Sequence, residues 1–134
     1  MMTPENLIQH LQDYSWTYPR GREADADAIR WKTLVSGDRT PTCKLIMGIL
    51  EVPPGAKMNT HRHEAPEVYF VYDGAGEVFV DGVVHEVVAG SILFLNGNSV
   101  HGVRNSTDTI LKLMWMFPGD SFADIEYHGE PADF

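Results

Sequence analysis

From Ile29 to Phe117 the chain alternates short runs rich in Val, Ile, Leu, Phe and Tyr with turn residues, one break every eight to twelve positions. The breaks include Ser36-Gly37-Asp38, Pro53-Pro54-Gly55, Asp73-Gly74, Asp81-Gly82, Ala89-Gly90 and Asn96-Gly97-Asn98. Segments this short and this rich in branched and aromatic residues read as strands. The pattern predicts strands over 29–35, 43–52, 57–63, 67–73, 76–81, 83–88, 91–95, 99–105 and 109–117. Asp81-Gly82, between Val80 and Val83, is a two-residue hairpin signal, because both central positions accept positive φ. A series of about nine short strands has to close on itself or stack to protect its edges, so the expected fold is an all-β sandwich or barrel. With 134 residues in all, the chain suffices for one domain and can bury a core without covalent staples.

Residues 1–28 read differently, as a helix-and-loop arm ahead of a single domain over 29–134. Thr3 can cap a helix, Pro4 suits its first position, and Leu7, Ile8, Leu11 and Tyr14 recur at helical spacing. Pro19 and Gly21 then mark a loop over 15–28. Charge narrows the function classes. Nineteen acidic residues against ten basic ones, a net charge of -9, leave no cationic surplus for phosphate contacts, which argues against nucleic acid and against a polybasic membrane contact. No apolar run approaches the roughly 20 residues of a membrane span, and the start lacks the plan of a signal peptide. The single cysteine, Cys43, rules out an intramolecular disulfide, so a cytoplasmic protein is expected, with Cys43 as a small buried apolar residue.

Chemistry concentrates in the run from Gly55 to Tyr69. His61 and His63 lie two apart, so on a strand both imidazoles leave one face, and Glu67 and Tyr69 open the next strand and share a face in turn. A tight hairpin joining the two strands would bring all four into one cavity. Two imidazoles and a carboxylate suit a borderline divalent transition metal, and His101 on a separate strand would add a fourth ligand while leaving coordination positions open. By itself a His-x-His pair on a strand equally suits a solvated polar face, and His63 beside Glu64 and Glu67 suits a surface ion pair. Surface or edge positions account for His10, His85 and His128.

The spacing around the pair is G-x5-H-x-H-x3-E-x6-G from Gly55 to Gly74, then G-x5-N-x-N-x2-H-x3-N from Gly90 to Asn105. This layout resembles the two motifs of the cupin superfamily, with Asn96 and Asn98 where most cupins carry proline and glycine. The resemblance implies a double-stranded β-helix, or jelly-roll barrel. It also implies one divalent ion (Fe, Ni, Mn or Zn) held by His61, His63, Glu67 and His101 inside one end.

Three further features resemble one branch of that superfamily, the small cupin lyases that cleave dimethylsulfoniopropionate to dimethyl sulfide and acrylate. These are Tyr69, the early run Arg30-Trp31-Lys32, and the tail from Trp115-Met-Phe117-Pro118 to Glu126-Tyr127. The approach Gly97-Asn98-Ser-Val-His101 is shared with that branch. The likeness implies Tyr69 as catalytic base, Tyr127 as a second active-site tyrosine, a small-molecule carboxylate as substrate, and a homodimer built through the N-terminal segment. Core packing for Tyr69, and a place in a strand covering the barrel mouth for Tyr127, fit the same pattern. Cupins also include Fe(II) dioxygenases and modules that only bind a metabolite, and fold alone does not choose among them.

Overall fold

The computed structural model describes residues 8–132 and 134. The described residues include ten strands: β1 (Arg30–Val35), β2 (Ile46–Val52), β3 (Lys57–Arg62), β4 (Glu67–Asp73), β5 (Ala75–Val80), β6 (Val83–Val88), β7 (Ile92–Leu95), β8 (His101–Arg104), β9 (Leu111–Phe117) and β10 (His128–Gly129). They build two five-stranded antiparallel sheets, ordered β1-β2-β9-β4-β7 and β10-β3-β8-β5-β6. After β2, successive strands cross between the sheets except at the β5–β6 hairpin, and the two layers close around one core as a jelly roll.

Local sequence explains most strand boundaries. Along β9, Leu111, Leu113, Trp115 and Phe117 are buried while Lys112, Met114 and Met116 are less so, the period of two that a sheet with one covered face demands. β5 turns into β6 through Asp81 (φ 45°) and Gly82 (φ 89°), the left-handed pair that a tight hairpin requires. Ile46, Val52, Val71, Val78, Val103, Leu111 and Leu113 fill the interior between the sheets.

One small residue is dictated by packing. Gly48 on β2 lies opposite Trp115 on β9, and a Cβ there would fall 2.2 Å from the indole Cζ2 and 2.4 Å from the Lys32 carbonyl oxygen. The bare backbone thus lets the indole lie flat against the sheet. Gly48→Ala should cost about 1–3 kcal/mol by overpacking, read as a lowered melting temperature. A variant as stable as the parent would show that Trp115 moves freely.

Three expectations need correction. The part of the N-terminal helix before residue 8 lies outside the described residues. The rest forms only a 3₁₀ turn at Leu11–Asp13, with Ile8 and Leu11 exposed. In place of an amphipathic face, this segment docks through Trp16, whose ring lies under the Arg30 guanidinium at 4.0 Å and the Lys32 ammonium at 4.6 Å. Cys43 is exposed rather than buried, because β2 starts three residues later, at Ile46. Finally, β3 and β4 are not a hairpin: β3 pairs with β8 and β10, and β4 with β7 and β9.

Candidate metal centre

That last correction changes how the site is assembled. His61 on β3 lies directly opposite His101 on β8, so the ladder itself puts the two rings on one face, with centroids 4.5 Å apart. A bulge between Met58 and His61 shifts the register, so that both line the cavity although they are three residues apart. His63 follows just after β3, held by the Asn98 amide donating to its carbonyl oxygen at 2.7 Å. Asn98 takes φ 62°, and Gly97 before it passes so close to the Glu64 carbonyl that a Cβ would sit 2.4 Å away. Asparagine tolerates the left-handed region better than most residues, so Gly97-Asn98 turns the chain into β8 without a proline. Glu67 and Tyr69 arrive from the opposite sheet, on the inward face of β4.

One nitrogen from each of His61, His63 and His101 lies within 4.8 Å of the others. All three rings are oriented in the same manner. His61 Nδ1 lies 2.9 Å from the Asn59 carbonyl, His63 Nδ1 2.9 Å from that of Ala65, and His101 Nδ1 2.8 Å from that of Ser99. A carbonyl can only accept, so each Nδ1 carries a proton and Nε2 is the atom each ring turns toward the site. Glu67 Oε1 sits 3.2 Å from Nε2 of His63 and 3.2 Å from Nε2 of His101.

Apart from that approach of Glu67, buried His101 Nε2 has no hydrogen-bond partner of good geometry among the described residues. Acceptors facing one another in a buried site repel and lose their hydration, which a shared cation reverses. The donor set therefore fits a divalent transition ion: imidazole nitrogens oriented by backbone carbonyls, plus one carboxylate.

Electrostatics agree. Burial by itself would raise the Glu67 carboxyl, but hydrogen bonding with the His101 and His63 imidazoles outweighs it and holds the group below its ordinary value, so the carboxylate draws positive charge to this point, the part a cation would take. Burial is the main reason that His61 is depressed, so it stays neutral and able to ligate.

Tyr69 is 2% exposed, with its ring 6.1 Å from that of His101. Burial first, then the charge of Glu67 and the neighbourhood of Tyr127, push its phenol well above the ordinary value. Tyr127 packs its ring 5.4 Å from His61 and 5.3 Å from His63. Its phenol is also raised, by burial and then by Glu67.

His61, Glu67, Tyr69 and Tyr127 border a cavity of about 1150 Å³, with His63 and His101 behind them. Trp115 and Phe117 stack at 5.4 Å along its wall, and Phe122 stands 5.4 Å from Trp115. The tail flagged in the sequence is thus an aromatic lining. Phe117 and Phe122 lay within that stretch but had not been singled out, and neither had Asp27 at the mouth, from the loop preceding β1. Side-chain direction in an irregular loop has no period to read.

Comparison with known proteins gives the same answer as the geometry. Residues 48–117 match the cupin domain family. The chain is 36% identical over 107 residues to the dimethylsulfoniopropionate lyase DddW of Ruegeria pomeroyi, a match covering 80% of this chain and 70% of that one. Among solved structures, the polyketide cyclase RemF from Streptomyces resistomycificus superposes with a TM-score of 0.78 at 16% identity, over 99% of this chain and 88% of the other. A cupin-2 domain protein from Rhodospirillum rubrum, Rru_A2000, gives 0.74 at 18% identity, over 92% and 80%. These structural likenesses speak for the fold alone. With a matching domain, a shared barrel and a buried imidazole cluster at one end of it, the chain belongs to the cupin family.

Proposed function

We propose that this protein is a metal-dependent lyase that eliminates a β-substituent from a small carboxylate such as dimethylsulfoniopropionate. The observation that carries this reading is a buried tyrosine, Tyr69, on the same strand face as Glu67, beside three imidazole Nε2 atoms turned toward one site. The similarity over most of the chain to a dimethylsulfoniopropionate lyase supports it.

His61, His63, Glu67 and His101 would hold the ion. A divalent ion there supplies Lewis acidity, drawing charge from a bound carboxylate and acidifying the adjacent carbon. Tyr69, buried and facing the cavity, is the group to take that proton as its phenolate: the charge of a bound ion would offset the burial and the Glu67 charge that raise the phenol, letting it give up its own proton to solvent before substrate binds. The Glu67 carboxylate keeps negative charge on the ligand side of the phenol. Trp115, Phe117 and Phe122 exclude water and present ring faces to a cationic leaving group such as a sulfonium. Tyr127, against His61 and His63, closes the cavity from the side opposite β4 and orients the substrate.

The direct test supplies dimethylsulfoniopropionate to protein loaded in turn with Fe(II), Ni(II), Mn(II) and Zn(II). Dimethyl sulfide and acrylate in equal amounts are the expected products. Absence of both with every ion removes this substrate. Oxygen consumed in step with turnover would instead make the protein a dioxygenase.

A further inference from the structure

Arg62, between His61 on β3 and His63 just after it, is not among the residues that line the cavity. Its Nε donates to Glu130 Oε1 at 2.8 Å and a terminal nitrogen to Asn98 Oδ1 at 3.2 Å. The two acceptors belong to separate segments. Asn98 shapes the turn that leads into His101, and its amide already holds the His63 carbonyl. Glu130 follows β10 in the C-terminal segment that carries Tyr127.

That segment is anchored on either side, by Phe122 and Ile125 against the core and by Phe134 against Phe79 and Arg104, but the stretch beside Tyr127 has few bonds of its own. β10 is two residues long, with His128 opposite Arg62 and Gly129 opposite His61. Beyond it, the Glu130 amide donates to the Thr60 carbonyl at 3.1 Å, and the Thr60 hydroxyl donates to the Glu130 carbonyl oxygen. Tyr127, immediately before β10, reaches both His61 and His63. One guanidinium thus ties the strand bearing His61, with His63 just after it, the turn before His101, and the segment that brings Tyr127 over all of them. A planar fork with several donors suits this double grip, and a lysine ammonium does not.

We infer that Arg62 is a positioning residue: by holding Glu130 and Asn98 together it keeps Tyr127 closed over the candidate metal centre. It touches neither the ion's place nor the substrate. Arg62 and Glu130 are each more than a third exposed, so the pair contributes little to overall stability. A two-residue strand is a different matter, because local opening of such an element depends on few bonds. The closing equilibrium of the C-terminal segment is therefore where Arg62 acts. The inference rests on the metal-site reading above, but its decisive readouts do not require turnover.

The experiment compares wild type with Arg62→Gln, Arg62→Lys, Arg62→Glu, Glu130→Gln and the exchanged pair Arg62→Glu/Glu130→Arg. The first readout is deuterium uptake over 126–131 in metal-free protein. The second is the rate at which a chelator strips Zn(II) from the loaded protein. Arg62→Gln should raise both about three- to fivefold, the size expected for one partly exposed ion pair, with an unchanged melting temperature. Arg62→Lys should fall between, and the exchanged pair should recover at least half of what Arg62→Glu loses. Where dimethylsulfoniopropionate is turned over, KM should rise by a similar factor with kcat nearly constant, a split that a general loosening of the barrel does not produce.

Uptake and zinc release both unchanged in Arg62→Gln would overturn the inference. So would faster uptake with unchanged zinc release, or an exchanged pair no better than Arg62→Glu. If no substrate is eliminated while both readouts shift, the positioning role stands and the lyase reading alone falls.

Discussion

Tyr69→Phe should lower kcat for elimination by about 10²–10⁴, the range for loss of a positioned proton-transfer group. KM and metal content should stay near wild type. The substitution removes one oxygen from a ring that is 2% exposed and paired across the ladder with Trp115, so packing is preserved. The four side chains proposed to hold the ion are untouched. Measuring kcat, KM and bound metal on the same preparation separates the two roles that the sequence allows for this residue. Retention of activity within fivefold would make Tyr69 a packing residue and move the proton transfer elsewhere. Tyr127→Phe should behave differently, raising KM more than it lowers kcat, because its ring, 42% exposed, covers the site from the mouth.

The second large effect concerns stability. A ligand that binds only the folded state stabilises by about 4 kcal/mol when present at a thousand times its dissociation constant. For a domain of this size that corresponds to a rise in melting temperature on the order of 10 °C. Wild-type protein titrated with Zn(II) or Ni(II) should show such a rise. His101→Leu should show none, since it removes the buried Nε2 that lacks a hydrogen-bond partner of good geometry among the described residues. The metal-free melting temperatures of the two should differ much less. Losing the Nδ1 hydrogen bond to the Ser99 carbonyl is offset by removal of a costly buried acceptor. An equal metal-induced rise in His101→Leu would place the ion at some other site.

How much of this was legible beforehand varies by residue. The alternation of Leu111, Leu113, Trp115 and Phe117 with Lys112, Met114 and Met116 is local, so β9 could be located from its own letters. The same holds for the hairpin at Asp81-Gly82, where backbone stereochemistry is a property of two residues. By contrast, the helical spacing of Leu7, Ile8, Leu11 and Tyr14 was misleading. Its described part is a single 3₁₀ turn with Ile8 and Leu11 exposed, since nothing in the barrel receives that face. β10 has only two residues and exists because β3 offers it an edge. No pattern within His128-Gly129 could announce it.

The candidate site divides along the same line. Parity on a strand put His61 with His63, and Glu67 with Tyr69, on common faces, and the resemblance to cupins joined them with His101; the structure brings the three imidazoles together. The letters could not say that β3 and β4 face each other across two sheets instead of pairing, that a bulge turns Met58 and His61 to one side, or that Arg62 grips two distant segments. Those are matters of which strands meet, and strand partnership is settled by burial and hydrogen bonding between residues far apart in the chain.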